Sequence, residues 1–302
     1  MKTIILGASG LLGQVIYAQA AIAMIATTHA QLDVCDHAAV RQYLVQQRPQ
    51  LVINCTAYSA VDAAEDAPEQ AMALNHHAVD NLVQACDAVG ASLVHFSTDF
   101  VFDGWADSRH GGAMAGAVDE LAHTRQATVH ASPRSTPYTE ADTPRPLNVY
   151  GASKLAGEQA VLASVGAHYV FRVSWLYGAT GSNFFSQVRD WLQQDRVLRI
   201  VADQVSVPND VARLARAMGQ WCQLAAVQPA QFLPQHRGLY HLTAAQAMSR
   251  YAFAQQVAAQ LGSQAIARLE PVPASAFPAR AARPLYSAMS AQRFTRQFGI
   301  II

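Results

Sequence analysis

Two residues four positions apart, Tyr150 and Lys154, are of the right types to reduce a carbonyl group. In the segment VYGASKLAGE their spacing predicts that both side chains lie on one face of a helix, one turn apart. An ammonium beside a phenol favours the phenolate and lowers the tyrosine pKa from about 10. Such a tyrosine can give a proton to a carbonyl oxygen while a hydride reaches the carbon. The alternative is a pair on a solvated helix face without a catalytic role.

The scarcity of lysine favours the catalytic interpretation. Of the 21 basic residues 19 are arginines, and the lysines are Lys2 and Lys154. Arginine does not replace lysine where a compact ammonium must reach ribose hydroxyls. A hydroxyl that holds the substrate oxygen is expected from Ser97 or Thr98. Ser97 ends the strand-like segment SLVHFS, and Thr98 and Asp99 follow it. Alone, the run Ser-Thr-Asp would indicate a turn or a helix cap.

A glycine-rich turn near the start of the sequence predicts a dinucleotide site. Gly7, Gly10 and Gly13 form the pattern G-x-x-G-x-x-G between a predicted strand and a predicted helix. Glycines permit the tight turn, and they let backbone N–H groups approach a pyrophosphate at the positive end of the helix. The alternative is a turn with only a packing role.

The end of the second predicted strand bears on which dinucleotide binds. An acid there would bind the ribose 2′-hydroxyl and repel a 2′-phosphate, but residues 27–29 are Thr-Thr-His. Asp33 follows the last glycine by about 20 residues. It either contacts the ribose or lies past the third strand, facing the adenine. The sequence therefore favours NADPH and leaves NADH open.

The fold that would position these residues is indicated by the hydrophobic pattern. Along the first half of the chain, apolar segments alternate with amphipathic ones. This pattern predicts an α/β fold, a Rossmann-type doubly wound parallel sheet with a smaller C-terminal substrate-binding lobe. We expect a cofactor domain over residues 1–175, with an insertion or mobile loop at 105–136. Residues 176–302 would form mainly the lobe, with some segments returning to the first domain. The expected strands are 2–7, 22–27, 51–55, 92–97 and 168–174, and the expected helices are 11–20, 37–47, 68–88 and 150–164.

Composition excludes several classes of protein. The chain of 302 residues is 51% hydrophobic and 14% charged, which excludes a disordered protein. Its formal net charge of zero argues against a nucleic-acid partner and against a polybasic membrane anchor. No stretch reaches the roughly 18 apolar residues of a membrane span. Four scattered cysteines predict free thiols in the cytoplasm and no metal site.

Taken together, the motifs resemble those of the extended short-chain dehydrogenases, and within them the dTDP-4-dehydrorhamnose reductase family. The similarity extends across nearly the whole chain. The glycine turn GASGLLG is common to many such enzymes. The blocks specific to this branch are STDFVFDG within HFSTDFVFDG (95–104) and YGASKLAGE within PYTEADTPRPLNVYGASKLAGE (137–158). Other matching stretches include FRVSWLYG (171–178), ADQVSVPND (202–210) and ARPLYS (282–287).

The resemblance implies a role for each matching residue. The implied catalytic residues are Thr98, Tyr150 and Lys154. The implied cofactor contacts are Gly7, Gly10, Leu11, Leu12 and Gly13 at the pyrophosphate, Asp33 and Val34 at the adenine, Ala57 and Tyr58 after the third strand, and Tyr150 and Lys154 themselves. The implied substrate contacts are Phe100, Trp175 and Arg283. In part of the family carboxylates at a dimer interface hold Mg²⁺, which this sequence does not place, and a homodimer is left open.

The expected activity is the NAD(P)H-dependent reduction of a 4-keto nucleotide-sugar to supply dTDP-L-rhamnose for surface polysaccharide. The sequence departs from the family in having Phe100 in place of a tyrosine, the 105–136 insertion, the altered DQVSVPN loop, and an end at FGIII. These departures keep two alternatives open. One is a reductase of another keto-sugar nucleotide. The other is an NADP-binding regulatory subunit, similar to the methionine adenosyltransferase beta subunit.

Overall fold

The computed structural model describes residues 1–105, 134–179, 181 and 183–302. Most of the predicted 105–136 insertion lies outside the described residues. On either side of that gap the chain is held together, because the backbone N–H of Arg134 donates to the carbonyl of Gly104 at 2.9 Å. The hydroxyl of Tyr138 also accepts from the N–H of Gly104 at 3.0 Å.

A parallel sheet of six strands forms the centre of the molecule, in the order β10-β5-β4-β3-β1-β2. Its carboxyl edge therefore brings together residues far apart in sequence, as the doubly wound prediction requires. The strands are β1 (Thr3–Leu6), β2 (Met24–Thr27), β3 (Leu51–Asn54), β4 (Ser92–Thr98), β5 (Tyr169–Val173), β6 (Leu176–Tyr177), β7 (Val197–Val201), β8 (Val205–Ser206), β9 (Asn209–Asp210), β10 (Gly238–His241), β11 (Met248–Ser249) and β12 (Arg268–Val272).

Helices cover both faces of this sheet. Several begin at polar caps, such as Asp36, whose side chain accepts from the backbone N–H of Ala39. The helices are α1 (Leu11–Ala18), α2 (His37–Gln47), α3 (Val61–Asp66), α4 (Pro68–Met72), α5 (Ala78–Val89), α6 (Val149–Ala163), α7 (Phe184–Leu192), α8 (Val211–Val227), α9 (Pro229–Gln235), α10 (Arg250–Leu261) and α11 (Gln292–Phe298).

Alternate strand residues point to opposite layers, which creates two cores. On one face Ile5 and Phe171 pack with Trp221 of α8 and Phe294 of α11. On the other face the core contains residues of β1, β3 and β5 together with residues of α2 and α5. A third core joins α7, β7 and α10 beyond the sheet, with Phe253 at its centre. Strand β10 and helices α8 and α11 thus return from the second half of the chain to the sheet.

The predicted helix over 68–88 is wrong in its detail. It consists of α4, a π-helical stretch at Ala73–His77, and α5. π-Helical turns are rare and often lie near functional sites. The other predicted boundaries lie within two residues of those of the structure, and those of the helix over 37–47 coincide with them. Among the described residues, no helix is long and apolar enough to cross a membrane.

Candidate active site

The glycine turn after β1 packs so closely against neighbouring backbone that side chains would not fit there. Gly7 has φ +72°, a backbone conformation that favours glycine. A Cβ added at Gly13 would lie 2.3 Å from the carbonyl oxygen of Gly7, so this helix residue must also be glycine. Gly10 caps α1 without a side-chain hydrogen bond, and the first N–H groups of the helix are therefore available to an anion.

A cavity of about 420 Å³ extends from this turn along the carboxyl edge of the sheet. Two buried polar atoms in its lining, Ser97 Oγ and Trp175 Nε1, have no hydrogen-bond partner among the described residues. Unpaired buried donors are rare in proteins and are expected where a ligand binds. With the glycine turn at one end, these features fit a dinucleotide. The predicted residues that line the cavity are Gly10, Leu11, Leu12, Ala57, Thr98, Tyr150, Lys154 and Trp175.

Five of the predicted cofactor residues lie outside this lining: Gly7 and Gly13 of the glycine turn, and Asp33, Val34 and Tyr58. Tyr58 is adjacent to it, and its backbone N–H donates to Asn75 Oδ1 at 2.8 Å. Asp33 and Val34 lie between β2 and α2, so the alternative position for Asp33 beyond the third strand is wrong. The Asp33 carboxylate accepts from the N–H of Cys35, and the Val34 side chain is buried.

Two glycines position the helix that carries Tyr150 and Lys154. A Cβ at Gly151 would lie 2.3 Å from the carbonyl oxygen of Phe100, and one at Gly157 would lie 2.1 Å from that of Asn75. Helix α6 therefore packs directly on the backbone after β4 and on the π-helical stretch. The cap residue Asn148 fixes its first turn by accepting from the N–H of Gly151 at 2.7 Å.

Tyr150 lies next to the end of β4, and its side chain and that of Thr98 line the same cavity. Burial raises the pKa of Tyr150 to about 12, the neighbouring Thr98 hydroxyl acts to lower it, and the charge of Asp99 raises it. The expected lowering of this pKa by Lys154 is not found. A hydroxyl with a raised pKa keeps its proton at neutral pH, so Tyr150 has a proton to donate, but it is a weaker acid than an ordinary tyrosine.

Lys154 points past Tyr150 to the strand below. Its Nζ donates to the carbonyl of Phe96 at 2.6 Å and lies 3.1 Å from Nε2 of His95. These contacts explain why Lys154 does not lower the pKa of Tyr150. Burial lowers the pKa of Lys154 to about 8, although the charges of Glu158 and Cys55 act to raise it.

A second cavity of about 170 Å³ adjoins the first and shares Thr98, Tyr150 and Trp175 with it. The two spaces therefore meet at the hydroxyls that could act on a carbonyl. The ring of Phe100 stands edge-on to that of Tyr150, with centroids 6.0 Å apart. Two arginines, Arg250 and Arg283, also line this cavity.

The residue after Thr98 connects the second cavity to the loops above the sheet. The Asp99 carboxylate accepts from Ser206 Oγ at 2.8 Å and from Ser287 Oγ at 2.5 Å. Thr98 also donates to it at 3.3 Å. Burial raises the pKa of Asp99 while these hydrogen bonds lower it. The DQVSVPN and ARPLYS blocks thus each provide a hydroxyl to one buried carboxyl.

The two arginines of the second cavity are held differently. Arg283 donates to both oxygens of Asp62, at 3.1 and 2.6 Å, and this hydrogen bonding lowers the pKa of Asp62. Arg250 has no ion pair among the described residues and stacks over the rings of Trp175 and Phe184, with centroids 5.0 and 4.9 Å away. Burial lowers its pKa, and the charge of Arg283 adds to this effect.

Trp175 has a strained backbone, with φ +33° in the left-handed region. Its carbonyl accepts from the N–H of Asn209 at 2.9 Å, and Asn209 Nδ2 donates to the carbonyl of Ser174 at 2.6 Å. Residues after β8 therefore fix the tryptophan between the two cavities, where its unpaired Nε1 is a free donor for a ligand.

Sequence reasoning missed several residues that the structure brings to the site. Ser206 and Ser287 lie in quoted blocks, but nothing local shows that they share one partner. Arg250 gives no signal in the sequence beyond following a helix cap, Ser249. Among the described residues, no group of three or more His, Cys, Asp or Glu side chains could hold a metal ion.

Comparison with known proteins now adds to this geometry. A family model, the RmlD substrate binding domain, matches residues 1–302. The dTDP-4-dehydrorhamnose reductase of Mycolicibacterium smegmatis is 37% identical over 296 residues, covering 97% of this chain and 79% of that protein. The Salmonella typhimurium protein of the same name is 33% identical over 259 residues, covering 84% and 76%.

Solved structures agree with these relatives. The dTDP-4-dehydrorhamnose reductase from Bacillus anthracis, in complex with NADP, superposes with a TM-score of 0.81 at 29% identity, covering 100% of this chain and 94% of that one. Thermus thermophilus UDP-glucose 4-epimerase, at 17% identity and a TM-score of 0.72, shares the fold, with 98% of this chain and 93% of that one covered. This chain therefore belongs to the dTDP-4-dehydrorhamnose reductase family.

Proposed function

We propose that the chain is an NADPH-dependent oxidoreductase that reduces the 4-keto group of dTDP-4-dehydro-L-rhamnose to give dTDP-L-rhamnose. The observation that carries the proposal is the meeting of the two cavities at Thr98 and Tyr150. A carbonyl at this junction would be reached by the cofactor from one side and by the two hydroxyls from the other. The names of the relatives support this substrate.

Each catalytic residue has a distinct task in this reduction. The reduced nicotinamide supplies a hydride to the carbonyl carbon when it is bound. Tyr150 donates its proton to the carbonyl oxygen, so that the C=O bond becomes CH–OH. Thr98 holds the same oxygen through its hydroxyl and orients Tyr150. Lys154, buried beside them, provides the ammonium that binds the ribose and replaces the lost proton.

The cofactor is supported by local features of the first cavity. Gly7, Gly10 and Gly13 let the pyrophosphate approach the start of α1, where Leu11 and Leu12 line the cavity. Strand β2 ends at Thr27 without an acid, which is compatible with a 2′-phosphate. The relative from Bacillus anthracis has NADP in its structure. We infer that NADPH is preferred, that NADH is accepted, and that Asp33 and Val34 lie near the adenine.

The second cavity is proposed for the nucleotide-sugar. Arg250 gives it positive charge for a diphosphate, Arg283 lines it in an ion pair with Asp62, and Phe100 and Trp175 give it apolar walls for the sugar. Because Phe100 lacks the hydroxyl of the tyrosine that the family has at this position, a different keto-sugar is the alternative substrate.

We infer that residues 1–175 mainly bind the cofactor and that residues 176–302 mainly bind the substrate. A homodimer and a cytoplasmic location remain predictions.

The test is NADPH oxidation by the purified protein with dTDP-4-dehydro-L-rhamnose, compared with other 4-keto nucleotide-sugars. The proposal predicts a higher kcat/KM for the dTDP-rhamnose precursor than for the others. The Phe100→Tyr variant should increase this preference several-fold, because it restores a hydroxyl that hydrogen-bonds the sugar. A higher kcat/KM with another keto-sugar would assign the enzyme to that substrate, and no oxidation with any of them would favour a regulatory subunit.

A further inference from the structure

One buried hydroxyl in the lining of the first cavity has no task in the proposed reaction. Ser97, the last residue but one of β4, is 3% exposed, and its Oγ has no hydrogen-bond partner among the described residues. A buried hydroxyl without a partner is destabilising, so such groups are expected where a ligand binds. Ser97 therefore marks a place in the cavity where a polar group of a ligand fits.

Two other hydroxyls in the same lining differ from that of Ser97, because they already have partners within the protein. Thr56 donates to Asn54 Oδ1 at 2.6 Å, and Ser174 donates to the carbonyl of Val207 at 2.9 Å. These hydrogen bonds fix the ends of the strands. The Ser97 hydroxyl makes no such bond to a described residue and remains available to a ligand.

Ser97 and Thr98 are suited to different ligands, although either was a candidate for holding the substrate oxygen. Neighbouring residues of a strand point to opposite faces of the sheet. Thr98 lines both cavities, whereas Ser97 lines the first of the two and not the second. The carbonyl of the substrate, proposed to lie where the cavities meet, is thus within reach of Thr98, and the Ser97 hydroxyl faces the cofactor.

The strand pattern places Ser97 on the side of β4 that faces α6. His95, two residues earlier, shares this side, and its Nε2 lies 3.1 Å from Nζ of Lys154. Arg172, the register partner of Ser97 on β5, reaches Glu158 of α6 through hydrogen bonds of 2.9 and 2.7 Å. Ser97 is therefore on the same side as the lysine that binds the ribose in the proposed reaction.

A ribose held by Lys154 needs an acceptor as well as a donor. The Lys154 ammonium donates to the carbonyl of Phe96, the residue directly before Ser97, and has further protons for ribose oxygens, but it accepts no hydrogen bond. Each ribose hydroxyl also carries a proton, which needs an acceptor once water is excluded. A serine hydroxyl both accepts and donates. Lys154 and Ser97 together can thus satisfy both kinds of hydrogen bond that a diol makes.

We propose that Ser97 is a further cofactor-binding residue, whose hydroxyl hydrogen-bonds the nicotinamide-side ribose of NADPH beside Lys154. The inference deepens the proposed function and rests on it for the cofactor, but it does not depend on which sugar is reduced. By holding this ribose, Ser97 helps to keep the nicotinamide at the end of the cavity where Thr98 and Tyr150 lie.

Equilibrium binding of three ligands to Ser97→Ala tests the proposal in the absence of any sugar. The ligands are NADPH, 2′-phospho-ADP-ribose, which keeps the second ribose but lacks the nicotinamide, and 2′,5′-ADP, which lacks both. At pH 7 the Lys154 ammonium is in place, because its pKa is about 8. The Kd values for NADPH and 2′-phospho-ADP-ribose should rise about 3- to 10-fold, the value of one neutral hydrogen bond, and that for 2′,5′-ADP should stay unchanged.

Unfolding provides a second readout, which separates ligand binding from a structural role. Since the Ser97 hydroxyl bonds no described residue, Ser97→Ala should not lower the urea midpoint of the protein without ligand, but it should reduce the increase that a fixed concentration of NADPH gives. The matched control is Thr3→Val. Oγ1 of Thr3 is also buried without a partner among the described residues, but Thr3 begins β1, at the opposite edge of the sheet. This variant should leave all three Kd values unchanged.

The pattern of the three Kd values decides the proposal. An unchanged Kd for NADPH in Ser97→Ala would overturn it. A loss with NADPH alone would place the hydroxyl at the nicotinamide ring and overturn the ribose assignment, and an equal loss with 2′,5′-ADP would indicate a distorted cavity and overturn it as well. If the unmodified protein bound no NADPH, the proposed function would fail together with this inference.

Discussion

The hydroxyl of Ser287 lies 2.5 Å from Oδ2 of Asp99, although 188 residues separate the two in sequence. Asp99 directly follows Thr98, and it also accepts a hydrogen bond from Ser206. One buried carboxyl therefore links two loops of the second half of the chain to the end of the strand that carries a proposed catalytic hydroxyl. This carboxyl therefore connects the central sheet to the loops that line the second cavity.

Removing the Ser287 hydroxyl should weaken this link. We expect Ser287→Ala to reduce the free energy of unfolding by about 1–3 kcal/mol, because a buried carboxyl loses a donor. It should also lower kcat, since Thr98 is no longer held in place. Urea unfolding and steady-state kinetics measure both effects. Ser290→Ala, in the same segment but partly exposed, is the matched control, and equal effects of the two variants would contradict the assigned role of Asp99.

Arg250 should contribute to substrate binding more than to turnover. Its guanidinium lines the second cavity without a carboxylate partner among the described side chains, so a diphosphate would be its counter-ion. Arg250→Met should raise KM for the nucleotide-sugar by about 10- to 100-fold, the value of a charged hydrogen bond, with little change in kcat. The exposed Arg199, which faces the ring of Phe277, provides the control Arg199→Met. An unchanged KM for Arg250→Met would remove Arg250 from the binding site.

The cofactor preference should depend on the residue after β2. Thr28 lies there, and its N–H and hydroxyl both contact the side-chain oxygen of Gln31. A carboxylate at this position would repel a 2′-phosphate, so Thr28→Asp should lower kcat/KM for NADPH by about tenfold or more and leave NADH nearly unaffected. Thr28→Asn, of the same size without the charge, should change neither. A strong preference of the unmodified protein for NADH would refute the assignment.

Stability should fall on acidification, partly because of His241. Burial lowers the pKa of His241 from 6.5 to about 3, with a further lowering by the charge of Arg172. The unfolded chain therefore takes up the proton first, and the stability contributed by this neutral histidine is complete above about pH 6.5 and is lost as the pH falls towards 3. Urea unfolding between pH 7 and 5 should show a shallower pH dependence for His241→Gln. The exposed His29, changed to Gln, should leave it unaltered, and equal slopes in all three proteins would contradict the role of His241.

The features that follow from local sequence were predictable. The glycine turn, the strands of the sheet and the Tyr150–Lys154 spacing each depend on residues close together in the chain, and the fold class is confirmed by the parallel sheet and by the solved relatives. The π-helical stretch at Ala73–His77 was not predictable, because its apolar pattern is that of an ordinary helix. Arg250 and the contact between Ser287 and Asp99 depend on tertiary packing over long separations, which a single sequence does not reveal.

The direction of Lys154 is the most instructive of these differences. The i, i+4 spacing indicates that its side chain shares a helix face with Tyr150, but the position of Nζ is decided by β4. The carbonyl of Phe96 and the ring of His95 are its partners, and neither can be identified from the helix alone. Burial then governs the pKa of both proposed catalytic side chains, so the sequence-based expectation for Tyr150 had the wrong sign.

The central claim is that Tyr150 donates the proton, and Tyr150→Phe tests it most directly. The change removes one oxygen and keeps the ring that meets Phe100 edge-on, so the affinity for NADPH should stay within a few-fold. The measurement is single-turnover hydride transfer with enzyme saturated in NADPH and dTDP-4-dehydro-L-rhamnose. The account predicts a rate about 10²–10⁴ times slower than that of the unmodified protein, the usual contribution of a positioned proton donor. An unchanged rate would contradict it.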